Sequence, residues 1–322
     1  MATIKAKELK AGDVLLYHGE TLLGRLIRFF DGKPVNHAGL YLGDGKVGEA
    51  LGQGVVKTDL AQSIKGDTVW AYRLKTTPPG LAPVLAVADK VLAEGPRYAY
   101  EAILLLALLA TTRKINLTPV LSVLLRGILD KAASLLANLR LKGQQPMICS
   151  EFVFRCYDEA LPAPVDAYTL EIPGRAYPGG LTGLGLAAPG TARPVVHPQS
   201  LLAMFAAATP GRSRLSALDV SAEAPAPEPV SDEALDGLIQ AFFVETQAGA
   251  TEAAVAPEEV QALGRSLAGF GTAATQALAT EGTVGVLGHG APPILGVCAD
   301  FVTPGDLMTS PSLWEVGEIE QP

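Results

Sequence analysis

The chain has 322 residues, 48% of them hydrophobic and 18% charged, with a net charge of −8. That length fits one large domain or two modest ones with enough apolar material for a core. Three cysteines are too few for a disulfide framework and fit buried thiols or a reducing compartment. The charge is split along the chain. Residues 1–142 hold 19 basic and 12 acidic side chains, residues 143–322 hold 6 and 21, and no lysine follows Lys142. A basic first half suits an anionic substrate or peripheral contact with an anionic membrane surface; the blander alternative is a solvated basic face. No patch rich in both lysine and aromatics points to nucleic acid.

In chain order, Gly12-Asp13 leads into Val14-Leu15-Leu16-Tyr17, which reads as a buried strand. Residues 22–30 have helical spacing and a basic face. Residues 35–42 and 46–51 form a hairpin around Asp44-Gly45. Residues 68–74 alternate like another strand, and 83–94 make an amphipathic helix stopped by Gly95-Pro96. The pattern from 100 to 141 is helical with a break at 116–119. Its second part puts Leu117, Leu121, Leu124, Ile128, Leu135 and Leu139 near one stripe, with Ser122, Arg126, Lys131 and Asn138 elsewhere. Residues 101–110 are apolar all round: a buried helix, or a lipid-facing surface as the sharper alternative.

A short helix is expected from Cys149 to about residue 160, stopped by Leu161-Pro162. Residues 173–200 read as loop and 222–230 as a Pro-Ala-Glu linker. A helix capped by Ser231 follows, with helical patterns to about residue 280. Residues 301–314 are the last expected ordered stretch, with an acidic tail at 317–322. The N-terminus lacks the apolar run of a signal peptide, and the longest mid-chain apolar run is far short of the roughly 20 residues that span a bilayer. The default expectation is a cytoplasmic protein.

Two segments carry chemistry. His37-Ala38-Gly39-Leu40-Tyr41-Leu42-Gly43-Asp44-Gly45, continued by Gly48-Glu49-Ala50, offers an imidazole and a carboxylate on the hairpin. Met147-Ile148-Cys149-Ser150-Glu151 offers a thiol at a helix start. Thiolate is the attacking species, and a free cysteine, with a pKa of about 8.5, is mostly protonated at neutral pH. The unpaired N–H groups and positive dipole end of a first helical turn favour the anion. Those N–H groups would also supply the oxyanion site.

Geometry sets a condition on Glu49. A plain two-residue turn at Asp44-Gly45 pairs Leu40 with Glu49 and turns the carboxylate away from His37. A three-residue turn, Gly43-Asp44-Gly45, pairs Gly39 with Glu49 and puts both side chains on one face. The three-residue turn is therefore expected, with Gly45 at positive φ.

Taken singly, Cys149 on an apolar helix and His37 in an apolar strand both read as core. Hairpin, glycine placement and cysteine helix together carry the catalytic reading, with Cys149 as nucleophile, His37 as base and Glu49 as the orienting group. Tyr98, Asp13, His18 and Ser150 are candidate pocket residues, His18 reading equally as surface. Cys156 and Cys298 read as buried. No metal or other cofactor is expected: Cys149 and Cys156 lack zinc-ligand spacing, and His197 and His289 lack partners.

These residues resemble the NlpC-type papain-like cysteine hydrolases, whose histidine hairpin matches His37 through Ala50. There the nucleophile ordinarily precedes the hairpin; here Cys149 follows it, as in the circularly permuted branch, the YiiX/YebB-like group, related to lecithin:retinol acyltransferase-like proteins. Gly12-Asp13-Val14 and the segment Phe301-Val302-Thr303-Pro304-Gly305-Asp306-Leu307 also look like that group.

The resemblance implies an α+β, permuted papain-like fold: an antiparallel sheet packed on helices, with a long helical and loop insertion. The expected catalytic domain comprises residues 1–172 with 298–316, and the insertion residues 173–297. It implies a thiol-dependent hydrolase acting on an amide of a peptide or peptidoglycan-like substrate. A lipid acyl hydrolase or acyltransferase would use the same Cys-His-Glu site. A silent scaffold, whose insertion binds a protein partner, is the reading from another class.

Overall fold

A computed structural model describes residues 2–51, 54–76, 80–93, 101–141, 147–160, 167–173, 200–201, 232–248, 254–278 and 302–321. Tyr98, Cys298, His197, His289, the expected loop after residue 173 and the 222–230 linker lie outside them. The chain divides into two compact units: residues 1–102, 146–174 and 302–322, and residues 103–145 with 175–301.

The first unit is α+β, built on a seven-stranded sheet. Its strands are β1 (Thr3–Ile4), β2 (Val14–His18), β3 (His37–Gly43), β4 (Lys46–Leu51), β5 (Gly54–Asp59), β6 (Thr68–Leu74) and β7 (Leu313–Ile319). The order is β1-β7-β6-β2-β3-β4-β5, antiparallel except where β1 lies parallel to β7. The expected strands at 14–17 and 68–74 are present and pair with each other, Leu15 opposite Ala71 and Tyr17 opposite Val69. Val14, Leu15, Leu16 and Tyr17 are all essentially inaccessible, as a continuous apolar run covered on both faces requires.

Three strands had no clear sequence signal: the short β1, β5 and β7. The stretch expected as an acidic tail begins inside β7, where Glu318 sits between Thr3 and Trp70. Its end carries Glu315 and Glu318, so composition alone read it as solvated tail.

The helices of this unit are α1 (Leu22–Asp31), α2 (Leu60–Ser63), α3 (Ala82–Ala93) and α6 (Cys149–Asp158), with a short C-terminal α9 (Pro304–Met308). Helix α1 is capped by Thr21, whose Oγ1 accepts from Gly24 N at 3.1 Å, and stops at Gly32 in the left-handed region (φ 65°). Asp31, at its end, accepts from Thr303 Oγ1 and Gly305 N, both at 2.9 Å, and so ties α9 to α1.

The hairpin has the expected register by a different device. Gly43 pairs with Lys46 across a two-residue turn in which both Asp44 (φ 49°) and Gly45 (φ 69°) are left-handed. A bulge between Tyr41 and Gly43 then shifts the ladder by one, so that Tyr41 faces Val47 and Gly39 faces Glu49. The three-residue turn is thus replaced by a two-residue turn plus a bulge at Leu42-Gly43. Both insert one residue into the β3 side, and both bring Glu49 to the face of His37.

The second unit is helical among its described residues: α4 (Glu101–Thr112), α5 (Pro119–Leu141), α7 (Asp232–Gln247) and α8 (Pro257–Leu278). Helix α5 packs along α8 and α7. Thr118 Oγ1 donates to Glu245 at 3.2 Å, and Arg126 Nε lies 3.3 Å from Glu259. The buried stripe of α5 is Leu121, Leu125, Ile128, Leu129, Ala132, Leu135 and Leu136. It is displaced from the expected one: Leu124 is only half-buried, and Ser122 is fully buried with its Oγ donating to Pro119 O at 2.9 Å. In α4, residues 106–110 are buried throughout. No helix among the described residues is long and apolar enough to cross a membrane.

Candidate active site

His37 is the first residue of β3, and its approach is set by Asn36. The buried Asn36 carboxamide accepts from Gly19 N at 3.0 Å and donates to Gly19 O at 2.7 Å, while Asn36 N donates to Tyr17 O at 2.9 Å. His37 Nε2 lies 3.2 Å from Glu49 Oε2, the diagonal contact that the hairpin register permits. Glu49 is 3% exposed and His37 21%.

Burial alone would raise the Glu49 carboxyl. The hydrogen bond and charge of His37, with the Thr58 and Ser63 hydroxyls, outweigh it and hold the group below its ordinary value. An ionised carboxylate only accepts, so in the neutral ring His37 donates its Nε2–H and Nδ1 is the basic nitrogen.

Two further residues join this pair and were not anticipated. Tyr17, beside His37 in the sheet, has its ring 5.0 Å from the imidazole at 58°. Its Oη is 2.7 Å from Ser63 Oγ, which in turn donates to Glu49 Oε2 at 3.3 Å. The one available signal was Tyr17 itself, a phenol in an otherwise apolar buried strand whose hydroxyl needs a partner.

Cys149 is the first residue of α6, after the N-cap Ile148, and is fully buried. Its thiol and that of Cys156 are not in a disulfide. Glu151 reaches back to accept from Ile148 N at 3.4 Å, and Ser150 Oγ donates to Val302 O at 2.6 Å. Three contacts orient the helix. Phe152 lies over Gly48, where an added Cβ would sit 3.1 Å from the ring. Tyr157 Oη donates to Gly12 O, and Gly12 N donates to Tyr41 O at 2.7 Å. Helix α6 is thereby packed against the hairpin of β3 and β4.

Strand alternation adds a constraint. Gly48 and its partner Leu40 face Phe152, whereas His37, Gly39 and Glu49 face the opposite way. His37 and Glu49 are thus in direct contact, and α6 packs on the other face of the hairpin.

The pocket candidates are engaged elsewhere. Asp13 is buried in a two-pronged pair with Arg73, Nε to Oδ1 at 2.6 Å and Nη2 to Oδ2 at 2.7 Å. His18 holds Pro34 O at 2.6 Å and Glu20 at 2.9 Å, with Trp70 edge-on. Ser150 is fixed to Val302 as above. Burial pushes the Cys156 thiol up, which keeps it protonated. Among the described residues no group of His, Cys, Asp and Glu is arranged to hold a metal.

No family model matches the chain. Over 165 residues it is 28% identical to a protein of Escherichia coli (strain K12) named "Probable lipoprotein peptidase YaeF". The matched stretch is 49% of this chain and spans 58% of the length of that relative. The likeness supports, at family level, a relation to peptidases and hence to hydrolases.

Proposed function

We propose that this protein is a cysteine hydrolase of the permuted papain-like type that cleaves an amide bond in a peptide or peptidoglycan-like substrate. The observation that carries this reading is the buried His37–Glu49 pair, in which Nε2 is turned to the carboxylate and Nδ1 is assigned the role of base toward Cys149. His37 Nδ1 takes the thiol proton of Cys149, and the thiolate adds to the amide carbon. The first-turn N–H groups of α6 hold the resulting oxyanion. The C–N bond breaks as the imidazolium protonates the amine, leaving an acyl-thioester. Water, deprotonated by His37, adds to the thioester, and the C–S bond breaks to release the acid and the thiol.

The amide reading is favoured over a lipid acyl substrate because the apolar helix that suggested lipid buries residues 106–110 internally. A second reading, a silent binding protein, rests on the complete burial of Cys149. Iodoacetamide separates them: an activated Cys149 alkylates near neutral pH well before Cys156. Assays on cell-wall peptides and on labelled lipid esters, with Cys149→Ala as the control, then identify the acyl group. Activity surviving in Cys149→Ala eliminates the mechanism.

A further inference from the structure

We infer that Tyr17 and Ser63 are positioning residues that aim the Glu49 carboxylate at His37 through a one-way hydrogen-bond chain, Tyr17 O–H to Ser63 Oγ and Ser63 O–H to Glu49 Oε2. The inference rests on the Cys149–His37–Glu49 reading and deepens it.

Proton counting sets the direction. Glu49 Oε2, being ionised, accepts both from His37 Nε2 at 3.2 Å and from Ser63 Oγ at 3.3 Å. Ser63 has one proton and spends it on Glu49, so the 2.7 Å contact between Ser63 Oγ and Tyr17 Oη is a bond donated by Tyr17. Tyr17 is suited to that end of the chain. It is 1% exposed, and burial followed by the Glu49 charge pushes its hydroxyl well above the ordinary phenol range, which keeps its proton in place.

The three residues come from three elements. Glu49 is on β4, Tyr17 on β2 and Ser63 ends α2, which packs against β4 and β5. Glu49 Oε2 takes the bonds from both His37 and Ser63, and the Thr58 hydroxyl is the further partner of the carboxylate. Without Ser63 the carboxylate would lose one of the two bonds that fix Oε2, and the imidazole a firmly held acceptor for its Nε2–H.

The test uses the full chain and two readouts. Nitrogen chemical shifts of His37, one of four histidines, report which ring nitrogen carries the proton. The rate of Cys149 alkylation by iodoacetamide, followed against pH, reports the base. Wild type is expected as the Nε2–H tautomer. Ser63→Ala and Tyr17→Phe, the latter keeping the ring beside His37, should both populate Nδ1–H. Each should also slow Cys149 alkylation at neutral pH by about tenfold, the scale on which partners behind a functional histidine act. The double variant should be no slower than Ser63→Ala alone, because both act through one chain, and Ser63→Thr should restore the wild-type tautomer.

A wild-type His37 tautomer in Ser63→Ala, or additive effects in the double variant, overturns the inference. If Ser63→Ala fails to fold, Tyr17→Phe decides by the same tautomer readout. His37→Ala distinguishes the two levels. Alkylation unchanged in that variant removes His37 as the base of Cys149, whereas the tautomer measurements still decide the chain behind Glu49.

Discussion

His37 and Glu49, twelve residues apart, hold each other across the hairpin at 3.2 Å from Nε2 to Oε2, with the carboxylate buried and ionised. The contact exists because a bulge at Leu42-Gly43 moves Glu49 by one register position. A hairpin without it would point Glu49 to the α6 side, away from His37.

Glu49→Gln keeps the shape of the side chain and removes its charge. The amide can still accept from His37, but it no longer favours the imidazolium that forms when the thiol is deprotonated. Turnover, or Cys149 alkylation per folded molecule at neutral pH, should fall by about 10²-fold, the lower end of what general acid–base catalysis contributes. A variant within a factor of two of wild type would remove Glu49 from the site.

The same carboxylate makes stability depend on pH. Its folded pKa lies below the ordinary value of 4.5, so the unfolded chain binds that proton first as pH falls. The stabilisation is fully present above the unfolded value and is lost progressively as pH falls from there through the folded pKa. Urea unfolding from pH 6 downward should therefore show a steeper acid loss in wild type than in Glu49→Gln. Parallel curves would contradict the ionised, paired state.

Gly48 lets α6 approach the hairpin. Gly48→Val puts branched carbon against the Phe152 ring, where even a Cβ would sit at 3.1 Å. It should cost about 1–3 kcal/mol, as overpacked sites do. Combining it with Phe152→Leu should recover part of that loss, a coupling that denaturant melts of the four proteins in a double-mutant cycle would measure.

Asp13 has a structural task. Asp13→Ala strands Arg73 in a partly buried position and should cost about 3 kcal/mol, the scale for breaking a buried pair from one side. Alkylation of Cys149 per folded molecule should stay at the wild-type rate. A selective loss of Cys149 reactivity at unchanged stability would restore Asp13 as a pocket residue.

Local pattern alone made much of this protein legible. Alternation and period located β2, β3, β4, β6, helix α1 and the helices from α3 to α8, and the Gly-Asp-Gly spacing pointed to the register that joins His37 to Glu49. The placement of Cys149 at the start of a short helix was likewise legible. These features depend on neighbours within one or two turns of chain, and side-chain period records such neighbours directly.

Contacts between distant segments needed the fold. β7 enters the sheet beside β6 across some 240 residues, and its acidic end hid it. The phase of α5 was set by α8 and α7, which chose Leu125 and Leu129 over Leu124. Tyr17 and Ser63 reach Glu49 only because β2 and α2 close on the hairpin from two sides. Sequence by itself determined which residues could form an acid–base pair. Tertiary packing decided what stands behind that pair, because a hydroxyl's partner is a matter of position in space and leaves no period in the chain.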